Sequence, residues 1–288
     1  MMSHPLPDNA VAKLEIWPEG PPSDPAAGRT EKTFFNPTDP SERWVRNIHI
    51  PTLTHIPAEH PTGKAMLIIP GGGYLFVSID NEGYRIANRM SREGFDCFIL
   101  TYRCNILPEE DAEIPAFMEQ FFGGLRGVDY GGTEPPTRNP HIEGGRVFAE
   151  EDARQAMRYL KANAAALNID ADRIGVVGFS AGGGLAAHLA TDAPSDCRPK
   201  ASAPIYPAYR KVPLPADTCP MFLATAADDD LVPPCSTTRL AEACHAAKVP
   251  VTLHLYGNGR HGFGGKVQGT LSDRWMDDFV AWLATVGL

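Results

Sequence analysis

A serine set between small residues is the strongest candidate for chemistry in this 288-residue chain. Ser180 is the centre of the pentapeptide GFSAG, residues 178–182, and the preceding residues 173–178, which include the apolar stretch 174–177, predict a strand. Residues 181–190 predict a helix, so the serine lies on a tight strand-to-helix turn. Its hydroxyl is then exposed beside a helix N-terminus, where backbone N–H groups stabilise negative charge. The pattern predicts a nucleophile for acyl transfer, although alone it is also typical of a glycine-rich turn with a capping serine.

A second glycine-rich segment is suited to binding the negative charge that such a nucleophile creates. The sequence PGGGY, residues 70–74 and here called the glycine loop, follows the apolar run 65–69, which predicts a strand buried on both faces. Glycines allow the backbone to approach a ligand closely. We predict that the N–H groups of Gly72, Gly73 and Ala181 form an oxyanion hole, with a plain flexible turn as the alternative. A phosphate-binding loop is disfavoured because no Lys-Ser or Lys-Thr pair follows.

Three consecutive aspartates, residues 228–230, directly follow the apolar run 221–226, which predicts another strand. A carboxylate that orients a catalytic histidine belongs at the end of such a strand. Asp229 is the predicted residue, because it begins the pattern Asp-x-x-Val-Pro. Asp228 or Asp230 is the alternative acid, and a solvated acidic turn that caps the next helix is the alternative structure. A calcium site is disfavoured because further spaced acidic ligands are missing.

One of the nine histidines, His261, is the predicted general base. It lies in the segment GRHGFG, residues 259–264, after residues 251–256, which predict a strand. Glycines on both sides suit a mobile loop that brings an imidazole over a serine. A lone histidine is more often a surface or core residue, as we predict for His188 in the helix after the serine. His261 differs because the chain order is serine, aspartate, histidine, each after a predicted strand.

Strands and helices alternate along most of the chain, which indicates an α/β protein with a mostly parallel central sheet and helices on both faces. Active sites in such sheets lie at the carboxyl ends of the strands. Further predicted strands are residues 47–50, 95–102 and 201–206, and further predicted helices are residues 82–92, 150–166, 236–247 and 272–284.

Two stretches depart from this alternation. Residues 1–45 are rich in Pro, Gly and Asp, and we predict an extended N-terminal arm with little regular structure ahead of a single domain, residues 46–288. Residues 104–148 contain several prolines and glycine pairs. We predict that they form a long irregular insertion that covers the site like a lid, with an extra packing layer on the sheet as the alternative.

Four aromatic residues near these motifs are predicted to contact a substrate. Phe121 and Phe122 lie in the insertion and are placed to limit the size of an acyl group. Tyr74, at the end of the glycine loop, is placed to stack on a sugar or another ring, and its alternative role is to fill a gap in the packing. Phe179 directly precedes the predicted nucleophile.

Together these motifs resemble those of the bacterial carbohydrate-esterase branch of the α/β hydrolases. That branch includes acetyl xylan esterase-like and feruloyl esterase-like proteins and is related to the hormone-sensitive-lipase group. The likeness extends from about residue 46 to the C-terminus and includes the segment DADRIG, residues 170–175. It implies an α/β-hydrolase fold and a serine carboxylic-ester hydrolase that acts through an acyl-enzyme. Short-chain acyl esters, above all acetyl esters of sugars or other small alcohols, are the implied substrates, and no metal or organic cofactor is implied.

Other activities fit the same motifs. An amidase or formamidase, or an acyltransferase, would use the same serine, aspartate and histidine. A non-catalytic ligand receptor on a hydrolase scaffold belongs to a different class of protein. It is disfavoured because receptors of that kind often lack the histidine.

The composition bounds the partners and the location. The net charge is −9 without a basic cluster, which disfavours a nucleic-acid partner. The six cysteines form no CxxC pair, so we expect mostly reduced thiols. Residues 174–191 are uncharged, but a strand, a turn and a helix explain them better than a membrane span. Residues 1–12 show no secretory signal pattern, so the expected location is the cytoplasm, and a homodimer is compatible with the sequence.

Overall fold

The computed structural model describes residues 12–37, 39–124, 140–209 and 213–288, without the side chains of residues 140–143. Its strands are β1 Lys13–Glu15, β2 Lys32–Asn36, β3 Asp39–Arg46, β4 Thr52–Ile56, β5 Lys64–Ile69, β6 Phe76–Val77, β7 Phe95–Thr101, β8 Ile174–Phe179, β9 Ala201–Ile205, β10 Met221–Ala226 and β11 Val251–Tyr256. Its α-helices are α1 Arg85–Arg92, α2 Ile114–Gly123, α3 Pro140–Ala162, α4 Ala181–Thr191, α5 Cys235–Ala246 and α6 Trp275–Thr285. A π-helix, Asp80–Tyr84, leads directly into α1.

Eight strands form one large sheet in the order β1-β4-β7-β5-β8-β9-β10-β11. Neighbouring strands from β7 to β11 run parallel, whereas β1 and β4 are antiparallel to their neighbours at one edge. The central strands β8, β9 and β10 consist of buried residues only, as expected for strands covered on both faces. The predicted mostly parallel sheet is confirmed.

Adjacent residues of β10 show that helices cover both faces of the large sheet, because successive side chains of a strand point to opposite faces. Phe222 contacts Phe279 of α6, with ring centroids 5.3 Å apart. Leu223 belongs to a different buried cluster, together with Leu240 of α5. The two helices therefore lie on opposite faces, which confirms the predicted layers.

Residues 32–46 correct the prediction of an arm with little regular structure. β2 and β3 pair as an antiparallel hairpin, and β3 also pairs with β6 to make a second sheet, here called the small sheet. Trp44 stacks on Phe76 with ring centroids 4.1 Å apart, and Phe34 meets Trp44 edge-on at 5.6 Å. These aromatic side chains give the hairpin an apolar face to bury, which outweighs the turn-forming composition of the segment.

The first part of the predicted arm is bound to the large sheet. β1 pairs with β4, and the Trp17 indole donates to Asp152 of α3 at 2.9 Å. Arg103 follows β7, is fully buried, and donates to both Asp152 and the Ser23 carbonyl. A buried cation is stable only when it is well paired, so Trp17 and Ser23 are integral to the packing around α3.

Two other predictions differ from the structure. Residues 47–50 are not a strand, because Asn47 has a φ of 53° and the chain turns there between β3 and β4. The insertion at 104–148 contains α2 and the start of α3, so it is less irregular than predicted. The part of the predicted lid that falls on residues 125–139 lies outside the described residues. The remaining predicted strands and helices are confirmed.

Residues 174–191 are accounted for by β8, the turn at Ser180 and α4, as predicted. Across the ranges that the structure describes, no helix combines the length and the apolar character needed to cross a bilayer. None of the six cysteines, all of which lie in the described residues, takes part in a disulfide.

Candidate active site

Ser180 is held on a sharp turn between β8 and α4. Its backbone has φ 52° and ψ −115°, a conformation that is strained for any residue with a side chain. A Cβ on Gly182 would lie 2.0 Å from the Ile69 carbonyl oxygen, and a Cβ on Gly178 would lie 2.1 Å from the Gly182 carbonyl oxygen. The spacing of the GFSAG motif therefore has a steric cause, since only glycine fits on either side of the turn.

Three side chains from different loops form one hydrogen-bond chain at the carboxyl edge of the large sheet. Ser180 Oγ lies 2.8 Å from His261 Nε2, and His261 Nδ1 lies 2.8 Å from Asp229 Oδ2. Asp229 is 6 % exposed, and its other oxygen accepts the backbone N–H groups of Leu231 and Val232. These two bonds fix the carboxylate in the orientation that meets the imidazole. The structure thus brings together the serine, the aspartate and the histidine that the sequence singled out.

The two neighbouring aspartates occupy different positions. Asp228 Oδ1 accepts the backbone N–H groups of Gly259 and Arg260 at 2.9 and 2.7 Å, so it fixes the start of the loop that carries the histidine. Asp230 is exposed. The middle aspartate of the three is the one that bonds the imidazole.

The loop over residues 259–265, here called the histidine loop, is hydrogen-bonded from several sides. Asn81 Oδ1 accepts the Gly265 N–H at 3.0 Å. The Trp275 indole N–H donates to the Gly264 carbonyl at 2.7 Å. These bonds support the loop conformation in which the imidazole reaches Ser180.

The glycine loop passes close to the serine and has no room for side chains. A Cβ on Gly71 would lie 2.9 Å from the Ser180 Cβ. Gly72 has a φ of 135°, and a Cβ there would lie 2.0 Å from the Phe76 carbonyl oxygen. The structure therefore shows the close approach of the backbone to the serine that the glycines predict.

Backbone N–H groups next to the serine are free to bind a ligand. Within the described part of the chain, the N–H groups of Gly72, Gly73 and Ala181 have no hydrogen-bond acceptor. The Gly71 N–H, by contrast, already donates to Glu82 at 2.7 Å. Free N–H groups at a helix N-terminus are suited to an oxygen that gains negative charge.

Two of the four aromatic residues predicted to contact a substrate flank the glycine loop. A Cβ on Gly73 would lie 3.2 Å from Phe121 and 3.5 Å from Phe122, both in α2. Phe121 is buried and Phe122 is half-buried. Phe122 is therefore the more open of the two to a ligand.

The other two aromatic residues lie in the packing, which corrects the prediction. Phe179 is fully buried, and its ring centroid lies 5.7 Å from that of Trp275, because the last residue of β8 points into a covered face of the sheet. Tyr74 is 4 % exposed, and its hydroxyl donates to the Ala181 carbonyl at 3.1 Å. Tyr74 therefore supports the start of α4 and has little surface for stacking on a ligand.

The described residues also form a small, partly open pocket of about 30 Å³ beside α4, lined in part by Tyr74, Gly184 and His188. The serine, the aspartate and the histidine of the hydrogen-bond chain lie outside its lining. His188 is bonded through Nδ1 to Asp192 at 2.8 Å and through Nε2 to Arg154 at 2.9 Å. This histidine belongs to the packing, as predicted.

Two buried polar residues beneath the site, Glu82 and Tyr206, were not predicted from the sequence. Glu82 Oε2 accepts the Gly71 N–H, and Glu82 Oε1 accepts the Tyr206 hydroxyl at 2.8 Å. Burial raises the pKa of Glu82, against the lowering effect of these two hydrogen bonds. Burial, with the charge of Glu82 nearby, raises the pKa of Tyr206 well above its usual range. Both groups are buried and make hydrogen bonds to the protein in place of water.

A signal in the sequence existed for Tyr206 but not for Glu82. Tyr206 follows β9, which lies between β8 and β10, so its side chain starts at the same sheet edge as the serine and the aspartate. Glu82 lies in a predicted helix, and its hydrogen-bond partner Tyr206 is 124 positions away along the chain. Local patterning carries no information about such a contact.

A mostly parallel sheet that presents serine, histidine and aspartate in one hydrogen-bond chain at its carboxyl edge defines this protein as an α/β hydrolase. Residues 138–284 match the dienelactone hydrolase family. The chain belongs to this family.

Individual relatives agree with the fold. The chain is 25 % identical over 261 residues to an acetylxylan esterase from Xylanibacter ruminicola, a match that covers 79 % of this chain and 47 % of the relative. The chain therefore spans about half the length of that curated relative. The crystal structure of an α/β hydrolase from a Medee basin deep-sea metagenome library has 25 % identity and a TM-score of 0.62, over 96 % of this chain and 97 % of that one. An acetyl ester-xyloside bifunctional hydrolase from Caldicellulosiruptor lactoaceticus has 23 % identity and a TM-score of 0.63, over 96 % of each chain.

Proposed function

We propose that the protein is a serine esterase that hydrolyses short-chain acyl esters, with acetyl groups on sugars or other small alcohols as its leading substrates. The observation that carries the proposal is the hydrogen-bond chain from Asp229 through His261 to Ser180, next to the free N–H groups of the glycine loop. A lactone is a cyclic ester, so the family name and the name of the acetylxylan esterase relative both support an ester as the bond that is cleaved.

The first half of the reaction transfers the acyl group to the protein. His261 accepts the proton of Ser180 as the serine oxygen attacks the ester carbonyl carbon, and Asp229 stabilises the imidazolium that forms. The bond between the carbonyl carbon and the alcohol oxygen then breaks. His261 gives its proton to the departing alcohol, which leaves an acyl-serine.

The second half of the reaction returns the protein to its starting state. A water molecule loses a proton to His261 and attacks the acyl-serine. The carboxylic acid departs, and the proton on the imidazole returns to the Ser180 oxygen. No other reactant is consumed, so water and ester give acid and alcohol.

The glycine loop stabilises the tetrahedral state in both halves. The N–H groups of Gly72, Gly73 and Ala181 donate to the carbonyl oxygen when it becomes negative. Each such donor contributes about 3 kcal/mol of transition-state stabilisation when it is already in position. The tight packing at Gly72 keeps these donors in position.

The aromatic side chains beside the glycine loop support a short acyl group. Phe121 and Phe122 lie against Gly73, and Phe122 meets Phe76 edge-on. Leu231, two residues after the aspartate, belongs to the same apolar cluster. One methylene that does not fit costs about 1–3 kcal/mol in such a pocket, which is sufficient to favour acetyl over longer chains.

Replacement of the nucleophile tests the proposal directly. Wild-type protein, Ser180→Ala and the matched control Ser195→Ala, a serine on the exposed surface, are assayed on p-nitrophenyl acetate. The control is expected to retain wild-type kcat, and Ser180→Ala to lose at least roughly 10⁴-fold. Equal turnover by Ser180→Ala and wild type would contradict the proposal.

The substrate class is tested with matched pairs. We expect acetyl esters to exceed longer acyl esters in kcat/KM, and esters to exceed the corresponding anilides. Acetylated xylose is compared with the p-nitrophenyl ester to test the sugar. Faster cleavage of the anilides would favour an amidase, and acyl transfer to an added alcohol that exceeds hydrolysis would favour an acyltransferase.

A further inference from the structure

A buried carboxyl lies between the glycine loop and the histidine loop. Glu82 is 4 % exposed, belongs to the π-helix Asp80–Tyr84, and has no part in the proton transfers of the reaction. Helices of this type are rare and often occur at functional sites. The neighbouring residue Asn81 is also buried and bonds the histidine loop, so this helix directs two polar side chains toward the active-site loops.

Glu82 makes one hydrogen bond in the direction of each loop. Its Oε2 accepts the N–H of Gly71 in the glycine loop at 2.7 Å. Its Oε1 accepts the hydroxyl proton of Tyr206 at 2.8 Å, and the Tyr206 oxygen in turn accepts the N–H of Gly264 in the histidine loop at 3.0 Å. The Tyr206 ring also meets the His261 ring edge-on, with centroids 5.0 Å apart.

An acid in this position has an energetic cost that a space-filling residue would not have. Burial removes the carboxyl from water, and the nearby acid Glu42 acts in the same direction, so the pKa of Glu82 is raised. A buried polar group is tolerated when its hydrogen bonds are made, and those of Glu82 are made with Gly71 and Tyr206. The effect of the carboxyl that offsets this cost is that it fixes the positions of Gly71 and Tyr206.

We propose that Glu82 is a positioning residue that, through Tyr206, sets the distance between the glycine loop and the histidine loop. The inference rests on the proposed function, because it assigns to Glu82 the alignment of the N–H donors and the imidazole on the two sides of Ser180. Glu82 itself touches neither the substrate nor the reacting atoms.

Alignment of this kind affects the rate because both loops act on the same carbonyl group. Oxyanion donors act at about 2.7–3.1 Å from the negative oxygen. A displacement of about 1 Å in a reacting group costs as much as 10²-fold in rate. If the two loops lose their link, substrate still binds but the donors and the base no longer act together.

Three variants test the link. Glu82→Gln retains an oxygen for the Gly71 N–H but presents an amide N–H₂ group to the Tyr206 hydroxyl, and Tyr206→Phe removes that hydroxyl from the other end. Tyr256→Phe is the matched control, because the Tyr256 hydroxyl donates to the Asp278 carboxylate at 3.0 Å in a pair on β11 and α6.

The variants are compared per active site rather than per milligram. A fluorophosphonate that labels Ser180 gives the concentration of active sites and, from its time course, a second-order labelling rate. We expect Glu82→Gln and Tyr206→Phe each to lower kcat on p-nitrophenyl acetate by about 10–100-fold, with KM changed less than about threefold. The labelling rate is expected to fall in the same proportion, and Tyr256→Phe to match wild type in both measurements.

A double variant separates positioning from simple destabilisation. Both substitutions remove the hydrogen bond that the Tyr206 hydroxyl donates to the Glu82 carboxylate, so Glu82→Gln/Tyr206→Phe is expected to have about the kcat of the less active single variant. Thermal unfolding is measured for every protein. A role in folding alone would lower the unfolding temperature while each labelled site keeps the wild-type kcat and labelling rate.

The outcomes distinguish this inference from the proposed function. If wild type is active and Glu82→Gln and Tyr206→Phe match Tyr256→Phe per active site, the positioning role is contradicted and the esterase proposal stands. If the tested esters are not turned over, the labelling rates of the same variants decide the positioning role in the same way. If wild type neither turns over esters nor reacts at Ser180, both are contradicted.

Discussion

The carboxyl edge of the large sheet, where the candidate active site lies, and the small sheet are stabilised in different ways. At the edge, Ser180 is fixed by a strained turn with glycine contacts, and Asp229 by two backbone N–H groups. In the small sheet, Trp44 and Phe76 stack, and the Arg43 guanidinium donates to Asp80 of the π-helix at 2.9 Å. The edge therefore depends on backbone conformation, and the small sheet depends on side-chain volume and charge.

This difference predicts how the two regions respond to substitution. At the edge, replacing one functional atom removes an interaction of the reaction and leaves the backbone intact. In the small sheet, truncating a ring removes buried contacts that hold β2, β3 and β6 together but no group of the reaction. Activity and stability should therefore be separable in this molecule.

The largest expected effect distinguishes the three aspartates. Asp229→Asn is expected to lower kcat by roughly 10⁴-fold, because an amide favours the wrong tautomer of the imidazole. Asp228→Ala removes the acceptor for two N–H groups of the histidine loop and is expected to cost about tenfold. Asp230→Ala is the control and should match wild type. Steady-state kinetics on a short ester check this order, and a larger loss in Asp228→Ala than in Asp229→Asn would contradict the assigned contacts.

The next effect tests the glycine loop. A methyl group at Gly72 would lie 2.0 Å from the Phe76 carbonyl oxygen, so Gly72→Ala must move the backbone that carries the free N–H groups. We expect kcat to fall by about 10²–10³-fold, the usual cost of one lost oxyanion donor. Gly123→Ala is the matched control, since a Cβ at Gly123 meets no atom within 4 Å. Wild-type kcat in Gly72→Ala would show that these N–H groups do not act on the ester.

A substitution in the small sheet should have the opposite signature. Trp44→Ala removes the stacking on Phe76 and the edge contact with Phe34, and is expected to lower the free energy of unfolding by about 2 kcal/mol. Urea denaturation measures this change, while kcat should stay within about threefold of wild type. Phe35→Ala, on the same hairpin but 61 % exposed, is expected to leave both quantities unchanged. A loss of kcat without a loss of stability in Trp44→Ala would remove the distinction between the two regions.

The smallest expected effect concerns the acyl chain. Phe122→Ala opens the side of the glycine loop, and the ratio of kcat/KM for butyrate to that for acetate is expected to rise by about tenfold, the value of roughly one methylene in an apolar pocket. Phe117→Ala in the same helix is the control. The ratio is measured with p-nitrophenyl esters, and an equal rise in both variants would indicate that α2 acts only through packing.

The sequence was most informative where the cause of a structure is local. The turn at Ser180 requires small residues two positions away, and that requirement is visible as the GFSAG motif. Asp229 was selected from its two neighbours by a short pattern, and it is the aspartate that bonds His261. Parallel strands such as β8 and β10 were predicted from continuous apolar runs, because burial on both faces leaves no alternation.

The sequence was least informative where distant partners decide the structure. Residues 32–46 look like a loop by composition, but the Trp44 ring finds Phe76 from another strand. Phe179 lies beside the nucleophile in the sequence and yet points into the core against Trp275. Glu82 acquires its place from Gly71 and Tyr206, and no motif marks it.

The contacts of the first strand also bear on the order in which the chain folds as it is made. β1 pairs with β4, which in turn pairs with β7. The segment after β1 needs Arg103 and Asp152 in place, because the Trp17 indole and the Ser23 carbonyl bond to that buried pair. The segment after β1 therefore completes its contacts only once α3 has been synthesised, whereas β4, the partner of β1 itself, is available much earlier.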